Sequence, residues 1–136
     1  MQKQKLRFNT PDEVEAVFYE AFIHCDSDVM AGLWADQDVT CVHPGAAVII
    51  KYDAIISSWM YIFDDAQGTN MKYTVINRVA TDDMAVHITA EEMLYAGKVE
   101  ALVLATNVYR KFDHGWLMIG HHGSLVGDWR GGETLQ

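Results

Sequence analysis

The chain has 136 residues, 50% of them hydrophobic and 21% charged. This is the length and composition of one globular domain and excludes a disordered chain. Ten basic residues stand against 19 acidic ones, a formal charge of −9, which excludes a nucleic-acid partner, since that needs a basic patch, and docking on an anionic membrane surface.

The first ten residues are polar and basic without an apolar stretch, so no secretory leader is expected. Thr10, Pro11 and Glu13 then form a helix start: a capping hydroxyl, proline at the first helical position and an acid three residues after the cap. Val14, Val17, Phe18, Ala21, Phe22 and Cys25 follow at helical spacing. Asp26, Ser27 and Asp28 break that helix and cap a short second one over about 29–35. Residues 39–43 read as a short strand that Pro44-Gly45 ends. A long helix is expected over 52–66, with Ile55, Ile56, Trp59, Phe63 and Ala66 as its apolar stripe. After residues 67–70 the apolar period falls from 3.6 to 2, predicting strands over 71–80, 84–95, 99–112 and 116–126. Residues 127–136 carry three glycines and read as a loose tail in which Trp129 is a possible docking anchor.

Helices first and long antiparallel strands after them predict an α+β fold: a strongly bent sheet wrapped around N-terminal helices. The whole chain, 1–136, reads as one domain with its core over about 10–126. The last two strands are apolar on both faces, at Ala101 to Ala105 and Leu117 to Ile119. No helix remains to cover the outer face, so a homodimer through it is the expectation. Cys25 and Cys41 are too few and too far apart for a zinc knuckle. No apolar run approaches a membrane span. A cytoplasmic protein with reduced thiols is therefore expected.

The order of elements and several local sequences resemble the SnoaL-like members of the nuclear transport factor two-like superfamily. Those sequences are Leu33-Trp34-Ala35-Asp36 running into Val39 to Gly45, then Ala54-Ile55 with Ser58-Trp59 and Ile62-Phe63. Ala105 to Tyr109, Gly115-Trp116 and His121 to Ser124 complete the set. The likeness covers about residues 12–124, with one departure: Lys51 stands where such sequences usually have glycine. The resemblance implies a cone-shaped α+β barrel with an apolar cavity at its open end, used by isomerases, cyclases, dehydratases and hydrolases, and also by binding and assembly subunits.

A ketosteroid isomerase of the same superfamily is similar at three places. Where it has an acidic base before proline, this chain has His43 before Pro44. Where it has an oxyanion-side acid eight residues before a hairpin glycine, this chain has Asn107 before Gly115. Its oxyanion tyrosine aligns, through a gap, with Tyr19. That isomerase is an established example of pKa tuning. An imidazole near its ordinary pKa suits a general base, and a carboxamide donates to an oxyanion without needing a raised pKa. By strict alternation His122 shares a face with Trp116, Met118 and Ser124, and Glu92 lies on the face of Val86, Ile88, Ala90 and Leu94. Both faces are expected to line the cavity, so that Glu92 or His122 orients His43 or acts as a second acid–base group. Trp34, Trp59, Tyr109 and Trp116 would add aromatic walls.

Blander roles compete with these. His43 can cap a strand end, Asn107 can satisfy a bulge, His122 can be a core histidine bonded to Glu92, and the tryptophans can be core. No HxH cluster, HExxH, Gly-rich phosphate loop or GxSxG elbow occurs. His43, Glu92 and His122 are the one combination resembling a facial metal triad, and no metal or other cofactor is expected. The expected function is proton transfer on a hydrophobic carbonyl compound, with His43 as base and Asn107 as oxyanion donor. The alternatives are a non-catalytic binding or assembly dimer and a subunit that docks through Trp129.

Overall fold

A computed structural model describes residues 4–66 and 69–127. The element order is α1 (Pro11–His24), α2 (Ser27–Leu33), β1 (Thr40–Val42), α3 (Tyr52–Asp64), β2 (Thr69–Ala80), β3 (Met84–Tyr95), β4 (Lys98–Phe112) and β5 (Gly115–Leu125). Trp129 and the rest of the tail beyond residue 127 lie outside the described residues.

Local chemistry sets the helix ends. Thr10 Oγ1 accepts from the Glu13 amide at 3.1 Å, while the Glu13 carboxylate reaches one residue further back and accepts from the Asn9 amide at 2.6 Å. This closes a capping box displaced by one residue. Cys25 ends α1 in the left-handed conformation. The Asp26 carboxylate accepts from the Val29 amide and starts α2, two residues earlier than the periodicity predicts. Lys51 precedes α3 at φ −119°, ordinary extended backbone. The glycine usual there is therefore not required by the conformation.

The sheet order is β1-β5-β4-β3-β2. β2 to β5 form an antiparallel meander, and β1 adds to the edge of β5 in parallel. The expected bent α+β sheet is present, with the three helices on its concave side. Phe18, Met30, Leu33, Trp34, Ile55, Trp59 and Met118 are fully buried between the layers. The edge of the layer is locked at Gly115, which has φ +122° and passes so near the Phe8 carbonyl that a Cβ would sit 2.4 Å from its oxygen. Trp116 N–H donates to that same carbonyl at 3.0 Å. No helix among the described residues is long and apolar enough to cross a membrane.

Two features of the sheet decide where the polar groups go. In β5, Gly120 pairs with Val108 and Met118 with Tyr109, so Ile119 is an extra residue, a β-bulge. Alternation is reset there: Met118 faces the helices, and so does His121, whereas His122 faces out. In β3 the inner face is Ala85, His87, Thr89 and Glu91, and the apolar set Val86, Ile88, Ala90 and Leu94 is on the outer face with Glu92.

Candidate functional site

At the open end of the sheet, a cleft of about 300 Å³ lies between α1, α3, β3 and the ends of β1 and β5. Its walls are Phe22, Trp59, Ile62 and Met93, and its polar groups are His43, Glu91 and His121, with the exposed Tyr61 and Asp65 at the mouth. Among the described residues that line it there is no lysine or arginine.

His43 reaches the cleft through local backbone chemistry. The Ala46 amide donates to the His43 carbonyl at 2.9 Å, and Gly45 has φ +76°. Proline at the second position and a positive-φ glycine at the third are the marks of a type II turn. Reciprocal bonds between the Cys41 and Ile49 backbones, at 2.9 and 2.8 Å, clip the loop shut. Ser58 Oγ donates to the Ile55 carbonyl at 2.6 Å and lies 2.8 Å from His43 Nε2. The one hydroxyl proton is thus committed, so the imidazole donates through Nε2 and Nδ1 keeps its lone pair. Burial lowers the His43 pKa, and the ring is neutral at pH 7. It stands edge-on to Trp59, with ring centroids 4.7 Å apart.

Behind the cleft wall runs a buried chain of hydrogen bonds. Tyr19 Oη donates to Glu91 Oε2 at 2.7 Å and lies 2.5 Å from Thr89 Oγ1. Asn107 Nδ2 donates to Tyr19 Oη at 2.9 Å. Asn107 Oδ1 lies 2.6 Å from His121 Nδ1. Both ends of this chain, Glu91 and His121, open on the cleft. Desolvation raises the Glu91 carboxyl to about 7, against the lowering effect of the Tyr19 hydrogen bond. Desolvation, with the neighbouring His43 and His122, lowers His121 to about 3. Tyr19 is held protonated, chiefly by burial and then by the Glu91 charge. Burial pushes the Cys41 thiol up to about 12, which removes it as a nucleophile at neutral pH.

Of the residues singled out from sequence, the structure brings His43 and Trp59 to the cleft. Asn107 is fully buried with both ends of its amide engaged, one step behind the cleft wall. Tyr19 lies beside it, stacked on Tyr73. Two placements are corrected. Glu92 lies on the outer face because the inner face of β3 is the odd-numbered set. His122 is turned out by the Ile119 bulge, to an outer-face hollow it shares with Ser124 and Leu104. Trp34, Trp116 and Met118 are core residues; Trp34 bridges to Met118. Tyr109 donates to Glu15 at 3.3 Å in a separate buried cluster with His87. The groups that strict alternation missed are Glu91 and His121, each the immediate neighbour of a predicted one. His87, Thr89 and Glu91 on alternate positions of β3 were the available signal for Glu91.

Metal-ligating side chains are grouped elsewhere, at Asp12, Glu15 and His87. His87 Nδ1 there is already bonded to Glu15 at 2.8 Å, and Asp12 to Arg78 at 3.1 Å, so the three ligand positions are largely occupied by protein partners.

Comparison with known proteins agrees with this architecture. The SnoaL-like domain family matches residues 12–128. A putative calcium/calmodulin-dependent protein kinase type II association domain from Thiobacillus denitrificans superposes with a TM-score of 0.86 at 31% identity, over 90% of this chain and 99% of that one. A putative dehydratase of the NTF2-like family from Streptomyces avermitilis gives 0.74 at 27% identity, over 85% and 93%. A ketosteroid isomerase-like protein from Erwinia carotovora atroseptica gives 0.71 at 18% identity, over 85% and 93%, a likeness of fold. The F-box protein SKIP8 of Arabidopsis thaliana is 32% identical over 99 residues; these span 71% of this chain and 41% of that protein. With its cleft at the open end of a bent, unclosed sheet and a family match over nearly all its length, the chain belongs to the SnoaL-like domain family of NTF2-like proteins.

Proposed function

We propose that the cleft binds a small, mostly apolar carbonyl compound and moves a proton on it without a cofactor, as an isomerase or dehydratase does. The observation that carries this reading is the convergence of two neutral imidazoles and a carboxyl with a pKa of about 7 on one apolar cleft. A group that titrates near the working pH is suited both to give and to take a proton. In this reading His43 removes the proton next to the carbonyl, and His121 Nε2–H, the tautomer that goes with a protonated Glu91, donates a hydrogen bond to the enolate oxygen. The same imidazolium then returns the proton at another carbon, or to a departing hydroxyl. The absence of lysine and arginine from the described lining favours a neutral ligand over an anion.

The test is deuterium exchange into a panel of apolar ketones and enones, followed by proton NMR. The expected result is exchange at the α-carbon that falls about 10²-fold or more in Glu91→Gln or in the His43→Ala, His121→Ala double variant. Binding without exchange across the panel would overturn the catalytic half of the proposal.

A second reading is favoured by the 31% identity to a kinase association domain and by the apolar outer face of the sheet. In it the chain is an assembly module that pairs with a second copy through that face, and the cleft is a binding site only.

A further inference from the structure

We infer that Glu91, acting through Tyr19 and Asn107, dictates which ring nitrogen of His121 carries the proton. Tyr19 and Asn107 are therefore positioning residues for a histidine they hold from behind.

Each hydrogen along the chain of bonds has one place to go. Tyr19 has one hydroxyl proton, and with Glu91 ionised that proton goes to the carboxylate. Tyr19 Oη must then accept from Asn107, which fixes the amide with Nδ2 toward the tyrosine. Asn107 Oδ1 is left facing His121 Nδ1, and an oxygen without a proton can only accept. His121 therefore carries its proton on Nδ1. Its Nε2, which makes no hydrogen bond among the described residues, offers a lone pair at the cleft.

A proton on Glu91 reverses the sense of each bond. The carboxyl donates to Tyr19 Oη, to which the Thr89 hydroxyl donates in both states; Tyr19 donates to Asn107 Oδ1 after the amide turns over, and Nδ2 donates to His121 Nδ1. The imidazole loses its Nδ1 proton to the cleft and gains one at Nε2, so the net uptake is the single proton on Glu91. Ionised Glu91 thus pairs with a basic Nε2, and neutral Glu91 with an Nε2–H donor.

The groups facing this chain are few. Tyr73 stacks on Tyr19 from β2, and Thr89 lies on the strand of Glu91. His43 and His122 are the charged or titratable neighbours of His121, with the rings of Phe18 and Trp59 packed on it. Asp65 is at the mouth of the cleft. The inference rests on the acid–base reading of the cleft only for its catalytic meaning, since the tautomer is measured with no substrate present.

The experiment is long-range proton–nitrogen NMR on histidine-labelled protein between about pH 5.5 and 8.5, where His121 stays neutral. The expected result is an Nδ1–H ring at the alkaline end that moves toward Nε2–H as pH falls through about 7. The tautomer ratio should change about tenfold or more, the worth of one exchanged hydrogen bond. Glu91→Gln should abolish the pH dependence while keeping the fold, and Tyr19→Phe should abolish it by cutting the link. One tautomer throughout in the natural sequence, or the same titration surviving in Glu91→Gln, would overturn the inference. Should Tyr19→Phe not fold, Glu91→Gln decides alone. Loss of ketone exchange with an intact tautomer switch would refute the proposed reaction and leave the relay standing.

Discussion

Burial of Glu91 lifts its carboxyl from 4.5 to about 7, and this ties stability to pH in a definite direction. A raised carboxyl leaves the folded state holding a proton that the unfolded chain has already released. The contribution is fully present below about pH 4.5 and is lost as pH rises through about 7, at a cost of a few kcal/mol. His121 works the other way. Its value is lowered from 6.5 to about 3, so its contribution is present above pH 6.5 and lost as the pH falls toward 3. The two together place maximal stability near about pH 5 to 6. Glu91→Gln keeps an acceptor for Tyr19 and removes the charge. Thermal melts should show it several degrees more stable than the natural sequence at about pH 8 and little changed at about pH 5. A uniform loss at both pH values would mean that the carboxyl is held for its shape. Asn107→Leu removes a partner from both Tyr19 and His121. It should cost about 2 to 4 kcal/mol in urea unfolding.

At the scale of elements, α1 is held to the sheet by a second buried cluster. Glu15 Oε2 lies 2.8 Å from His87 Nδ1 and accepts from Tyr109 Oη at 3.3 Å. Asp12, one helical turn earlier, lies 3.8 Å from His87 Nε2 and pairs with Arg78. Glu15→Ala strands a buried imidazole and a buried phenol together. Urea unfolding should record a loss of about 3 to 5 kcal/mol, against a smaller loss for Glu15→Gln. The elements themselves were legible: the cap at Thr10, the turn at Pro44-Gly45 and the change of period after residue 70 place nearly every helix and strand. The faces were less so, for two physical reasons. A single extra residue at Ile119 inverts everything downstream of it, and nothing in the run Leu117-Met118-Ile119 distinguishes the bulged residue from its neighbours. On β3 the apolar set Val86, Ile88, Ala90 and Leu94 reads as the buried face, yet the cavity side carries His87, Thr89 and Glu91. The ordinary rule of apolar inside and polar outside fails because a polar network occupies the interior. His43 escaped both difficulties, since the Pro44-Gly45 turn beside it sets its position locally.

At the scale of the molecule, that inverted pattern leaves the convex side of the sheet with an apolar surface. Val79, Val86 and Leu104 are exposed there at 60%, 36% and 37%, with Ile88 half-buried among them. Val79 pairs with Val86, and Ile88 pairs with Thr106, two residues beyond Leu104, so the patch runs across three strands. Water contact with such a patch is unfavourable at roughly 25 cal/mol per Å², and a stable pair needs about 800 Å² from each partner. A sheet face of three long strands is of that size, and two identical faces meet about a twofold axis without leaving an open end. The net charge of −9 opposes association through long-range repulsion, so salt should strengthen the pair. Light scattering should give about twice the chain mass for the natural sequence and the single-chain mass for Leu104→Glu, which places a charge within the apolar patch. The histidine NMR signals of the cleft should be unchanged in Leu104→Glu, because Leu104 and Glu91 project to opposite faces of the sheet. A chain that scatters as a monomer at every salt concentration would remove the assembly reading and leave the cleft as the only site that the sheet was bent to form.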